Sequence, residues 1–123
     1  MNFSLPSADK DPMGAAIADY YNLHKAGRLR VFSSLFDEDE IPVKDLFRGL
    51  KQMPVIEQTA LQMAEGKILD VGAGSGCHSL ALQEMNKEVC AIDISALSVK
   101  EKKKRGVKDA RLVNLFDATF HEQ

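Results

Sequence analysis

The chain has 123 residues, of which 45% are hydrophobic and 28% charged, enough apolar material for one small core and too much for a disordered polymer. Its formal net charge is −2, so no broad positive field is present to hold phosphates, and a nucleic-acid partner is not indicated. Cys77 and Cys90 stand in apolar surroundings rather than in a disulfide-dense pattern, the histidines lack metal-ligand spacing, and no run of about 18 apolar residues occurs. The first dozen residues lack a basic flank followed by an apolar stretch. The expectation is a cytoplasmic domain with no export signal, no metal and no membrane partner.

Residues Met1 to Asp11 are polar and aperiodic and read as a loose leader. Pro12 suits the first turn of a helix in which Met13, Ile17, Tyr20, Tyr21 and His24 follow at helical spacing, with Gly27 as its stop. From Arg28 to Phe36 the pattern is extended, and the acidic run Asp37 to Glu40 makes a turn. Ile41 to Leu46 returns as a second strand of a hairpin, with a helix over Val43 to Leu50 as the rival reading. Pro54 opens another helix in which Val55, Ile56, Thr59, Ala60 and Met63 line one side, ended by Gly66.

The second half alternates strand and helix. Lys67 to Val71 is a short buried strand, Gly72 to Gly76 a tight turn, Cys77 to Met85 a helix, and Glu88 to Ile92 another strand. Ser95 caps a helix over Ala96 to Arg105, Gly106 closes it, and Ala110 to Val113 begins a third strand. The cationic run Lys100 to Arg105 falls in that helix and reads as its solvated face. Strand, helix, strand, helix, strand is the order of a parallel α/β sheet, here a partial one of three strands. The chain divides into a helical and extended segment over 1–65 and a ligand-binding portion over 66–123.

The strongest local signal is ILDVGAGSG, where Asp70 precedes Gly72, Gly74 and Gly76 directly after the apolar run. Glycine tolerates positive φ and lets a ligand approach bare backbone, with Ala73 between the first two, and the following helix offers amide donors to an anion. A dinucleotide fingerprint places its third glycine where this chain has Cys77, and a pyrophosphate gains nothing from a carboxylate such as Asp70 at its edge. A ligand that carries an ammonium, a sulfonium and a carboxylate gains from both, and S-adenosylmethionine is such a ligand.

Leu69 to Gly76 resembles motif I of the class I S-adenosylmethionine-dependent methyltransferases, and the similarity runs from about Gly66 to Asp117. The segment EVCAIDIS supports it, since Asp93 lies 17 residues after Gly76 and closes the second strand. The resemblance implies a Rossmann-like fold, S-adenosylmethionine as cofactor and a methyl acceptor, small-molecule or otherwise unidentified. It implies that Asp70 contacts the methionine end, that Gly72, Ala73, Gly74 and Gly76 form the backbone cradle, and that Asp93 grips both ribose hydroxyls beside Ile94. It implies too that Asn114, with Leu115 after it, meets the adenine, with Asp117 as the competing assignment. More weakly, the leading helix with its two tyrosines and the extended IPVKDLFR segment resemble a group of bacterial members in which such a helix closes over the cofactor, which would make Tyr20 or Tyr21 a lid contact.

The family's sheet has seven strands, so the expectation is a truncated piece of a longer product, its catalytic residues beyond Gln123, and a homodimer formed over the exposed strand edge or the extended hairpin. Two rivals remain: a nicotinamide-dependent oxidoreductase domain, which shares the strand, glycine turn and ribose acid, and a non-catalytic binding or assembly module that retained the fold.

Overall fold

The computed structural model describes residues 5–27, 29–32 and 39–114 of the chain. The expectations for Leu115, Asp117 and the first half of the acidic run, 37–38, lie outside those residues, while Asp39 and Glu40, read as part of a turn, lie in a strand. After a 3-10 turn at Ala8–Lys10, the first helix spans Pro12–Leu23 (α1). Pro12 sits where its missing N–H is not needed, and the Asp11 carboxylate accepts the Gly14 amide at 3.0 Å. Asp11 is thus a buried helix cap and not part of a loose leader. The helix stops before Gly27, because His24 adopts a left-handed φ of +55° and turns its amide back onto the carbonyls of Asp19 and Tyr20.

Leu29–Val31 (β1) and Asp39–Ile41 (β2) pair antiparallel, with Leu29 opposite Ile41, so the expected hairpin is present. Its second strand ends sooner than expected. Pro42 has no N–H to give a ladder, and Val43–Phe47 winds into a 3-10 helix that buries Val43, which replaces the strand read over Ile41 to Leu46 and the extended form of IPVKDLFR.

Val55–Met63 (α2) follows Pro54 and ends at Ala64, two residues ahead of Gly66. The side carrying Val55, Ile56 and Met63 faces outward, with each of the three at least 74% exposed. The inward side holds by polar anchors instead: Gln58 donates to the Met53 carbonyl at 2.8 Å, and Leu61 joins a buried group of Met53, Cys77 and Ala81. Lys87 donates to the carbonyls of Leu61, Gln62 and Ala64 at 2.7 to 2.8 Å, supplying partners that the end of a helix lacks.

Lys67–Val71 (β3), Glu88–Asp93 (β4) and Ala110–Leu112 (β5) form a parallel sheet in the order β3-β4-β5. Cys77–Glu84 (α3) and Ala96–Arg105 (α4) connect them, giving the expected three-stranded α/β arrangement. Val71 lies opposite Ile92 and Asp93 opposite Leu112, so the ends of β3 and β4 sit side by side and place the glycine turn next to Asp93. Ser95 caps α4 by accepting the Ser98 amide, and Gly106 closes it at φ +105°. Ala73, Ala91, Val99, Val107 and Ala110 make the core under the sheet. α1 packs on α4. Among the described residues β3 has one sheet neighbour, and its Leu69 and Val71 are exposed.

Candidate functional site

The turn between β3 and α3 is shaped by three glycines with φ of +65°, +55° and +84° at Gly72, Gly74 and Gly76. Backbone bonds sew it to β4, since the amides of Gly72 and Ala73 both donate to the Ile92 carbonyl, at 3.0 and 3.2 Å. The glycines serve different ends. A side chain on Gly72 would meet nothing within 4 Å, so that backbone is open to a ligand, whereas a Cβ on Gly76 would lie 2.9 Å from Lys102 Cγ and Val107 Cγ2. Gly76 is where α4 presses on the turn.

Asp93 is held from three directions. Its Oδ2 accepts the Gly74 amide at 2.9 Å and the Lys102 ammonium at 3.2 Å, and its Oδ1 accepts the Ser95 amide at 3.0 Å. Lys102 is fully buried and also donates to the Gly74 carbonyl at 3.0 Å. Burial pushes its ammonium below the usual lysine value, against the pull of Asp93. Arg105 donates to the Ser75 carbonyl at 2.7 Å while its guanidinium lies 4.6 Å over the Phe47 ring. The cationic run read as a solvated face is therefore corrected at these two positions. A helix of ten residues with four cations in its last turn must turn some of them inward.

A cavity of about 470 Å³ opens on this turn, within the range of small-molecule sites. Gly72, Ala73, Gly74, Asp93, Ile94 and Ser95 form its floor, Leu46, Cys77 and His78 one side, and Pro6, Lys10, Asp11, Met13 and Ile17 the opposite wall. A second space of about 450 Å³ shares Gly72, Asp93 and Ile94 and continues along Val71, Ile92, Val113 and Asn114. Of the expected site residues, Gly72, Ala73, Gly74, Asp93, Ile94 and Asn114 come together around these two spaces.

Three others lie elsewhere. Asp70 is turned toward α3, where the Ser79 hydroxyl donates to its Oδ2 at 2.7 Å. Gly76 supports the turn from behind. Tyr21 lines neither space; its hydroxyl donates to the Lys104 carbonyl at 3.4 Å, and its ring stacks parallel to Phe47 at 6.5 Å. Tyr20 also meets Phe47, at 4.7 Å. Both tyrosines join α1 to the 3-10 helix, and the wall facing the turn is made by Met13 and Ile17, one helical turn apart.

The N-terminal wall was missed in sequence. Its signal was Asp11 directly before Pro12, the pairing of a capping carboxylate with a first-turn proline. The second oxygen of Asp11 accepts from the Ser95 hydroxyl, so one carboxylate ties the start of α1 to the start of α4. On the side across from this wall, His78 donates to Glu57 at 3.1 Å, and Arg48 reaches the same carboxylate at 3.3 Å. Cys77 first, and then Glu57, push His78 up to about 9 against the effect of burial. His78, followed by Arg48, holds Glu57 below the usual carboxylate range despite an opposing contribution from burial.

The residues fit a nucleoside with a charged tail. The floor is bare main chain with open space at Gly72, a carboxylate borders it, and Ile94, Met13 and Ile17 offer apolar surface for a planar ring. Fold and turn together define a Rossmann-like α/β domain.

Comparison with known proteins narrows this. Residues 69–123 match the family model described as a methyltransferase domain. The crystal structure of a SAM-dependent methyltransferase from Bacteroides fragilis, in complex with S-adenosyl-L-homocysteine, is 75% identical with a TM-score of 0.88, over 94% of this chain and 48% of that one. Among curated proteins none matches. The chain is similar to S-adenosylmethionine-dependent methyltransferases of class I, and it spans about half the length of this solved relative.

Proposed function

We propose that the chain is the cofactor-binding part of an enzyme that moves a methyl group from S-adenosylmethionine to an acceptor, small-molecule or otherwise unidentified. The observation that carries this reading is the exposed backbone at Gly72, next to the half-buried Gly74, facing a cavity bordered by the Asp93 carboxylate. S-adenosylmethionine supplies an electrophilic methyl on a sulfonium. The chain supplies binding and orientation: the glycine turn and the first amides of α3 receive the methionine carboxylate, Asp93 takes ribose, and Ile94 and Asn114 border the base, while Asp70, bonded to Ser79, supports the turn from outside the cavity. Binding of this kind fixes the direction from which an acceptor can approach the methyl in line.

Cytoplasmic location accords with the free thiols of Cys77 and Cys90 and with the lack, among the described residues, of any helix long and apolar enough to cross a membrane. Homodimer formation, over the exposed strand edge or the hairpin, belongs to the same reading, and light scattering at rising concentration tests it.

Calorimetry with S-adenosylhomocysteine and with NADH decides the cofactor. We expect S-adenosylhomocysteine to bind, NADH to bind far more weakly, and Asp93→Ala to lose at least about tenfold in affinity for the former, as removal of a charged hydrogen-bond acceptor does. Preference for NADH overturns the reading.

A further inference from the structure

The chain holds two free thiols in opposite surroundings. Cys77 opens α3 and is only 8% exposed, yet with its neighbour His78 it lines the cavity on the glycine turn. Cys90 is half-buried on β4, where burial first and then the Asp109 carboxylate push its thiol up.

The groups around Cys77 act the other way. Burial pushes its thiol up too, but a hydrogen bond and the charge of His78, a hydrogen bond from Ser75 and the Arg105 guanidinium outweigh burial and hold it below the usual thiol value. The start of α3 adds the positive end of a helix. Glu57 of α2 accepts from the far side of the His78 ring at 3.1 Å, and Arg48 fixes that carboxylate at 3.3 Å. Cys77, His78 and Glu57 therefore stand in line, a thiol beside a base that a third group orients.

We infer that this cluster makes Cys77 a peroxide-oxidisable site at the cavity, and that its oxidation shuts out the ligand. The thiolate sulfur attacks one oxygen of a hydroperoxide, so that an S–O bond forms as the O–O bond breaks. Sulfur is oxidised by two electrons to a sulfenic acid and the peroxide is reduced. With hydrogen peroxide, the leaving hydroxide takes the proton of the His78 imidazolium and departs as water. The new hydroxyl stands at the start of α3, the end of the cavity assigned above to the methionine carboxylate. Oxidation rests on the cluster and the cavity, whereas the blockade rests on the proposed cofactor.

Two measurements on the whole chain test this. Limited alkylation with iodoacetamide, read by peptide mass spectrometry at neutral pH, is expected to label Cys77 about tenfold faster than Cys90, the reverse of their order of exposure. His78→Gln slows Cys77 by a similar factor and leaves Cys90 unchanged. Hydrogen peroxide followed by dimedone places its adduct on Cys77, while calorimetry shows S-adenosylhomocysteine affinity falling by about tenfold or more and returning after dithiothreitol. Cys77→Ala and Cys77→Ser each bind with the same affinity before and after peroxide. Labelling of Cys90 at an equal or greater rate, binding that survives oxidation of Cys77, or a loss that persists in both Cys77 variants overturns the inference and leaves the cofactor assignment intact. Failure of S-adenosylhomocysteine to bind the unaltered protein removes the cofactor assignment and the blockade with it, while the order of labelling still decides the thiol.

Discussion

The floor of the cavity and its N-terminal wall are held by different physics. The floor is main chain whose path is set by positive-φ glycines and by amides sewn to the Ile92 carbonyl. The wall is made of side chains, Met13 and Ile17, on a helix whose position depends on a carboxylate, Asp11, shared with Ser95 of α4. A floor of this kind tolerates little change in any one residue, because backbone conformation has no substitute. The wall tolerates change in its apolar residues, where volume can be repacked, and little at its single polar anchor.

Gly76→Ala breaks the floor most severely. The new methyl meets Lys102 and Val107 at 2.9 Å and forces a left-handed φ on alanine, so we expect a loss of roughly 3 kcal/mol in urea unfolding, the sum of strain and overpacking. Gly72→Ala, with the same sign of φ and open space around it, should lose only about 1 kcal/mol while weakening S-adenosylhomocysteine more than its stability loss explains. Equal stability losses at the two positions would show that packing against α4 plays no part.

Asp11→Ala tests the wall. It removes a cap from α1 and an acceptor from Ser95, and about 1 to 2 kcal/mol should be lost in the same assay. Hydrogen exchange at Gly14 and Ser98 should rise together. A rise confined to Gly14 would mean that the two helices are anchored separately.

The smallest effect concerns the side of the cavity at His78. Its value is raised from 6.5 to about 9, so the stability it contributes is complete below its unfolded value and is lost as pH climbs through about 9. The difference in melting between the unaltered chain and His78→Gln should therefore shrink across that interval. Because the ring is 40% exposed, the change should stay below about 1 kcal/mol. A difference that grows with pH reverses the assigned sign.

The contrast also explains what could be read from residues alone. Cys77–Glu84, Glu88–Asp93 and Ala96–Arg105 fall within a residue or so of expectation, because glycine, serine and alternating apolar residues punctuate them locally. Asp93, Ile94 and Asn114 converge for the same reason: each stands at the end of a strand. Lys102 was hidden by its neighbours. Within KEKKKR it looked like one solvated cation among several, yet it follows Ser98 by four positions and Val99 by three, on the buried side of α4. The outward face of α2 was hidden differently, since Val55, Ile56 and Met63 have the spacing of a buried stripe while Glu57 and Gln58 supply the inward bonds. Periodicity reports which residues share a side and not which side the partners want.

The carboxylate of Asp11 joins positions 84 residues apart, at the mouth of a cavity whose floor is otherwise rigid. Releasing that one group would remove an acceptor from Gly14 and from Ser95 together. The contacts run from Gly14 through Asp11 and Ser95 to Ser98, so the start of the chain and the start of α4 share one anchor.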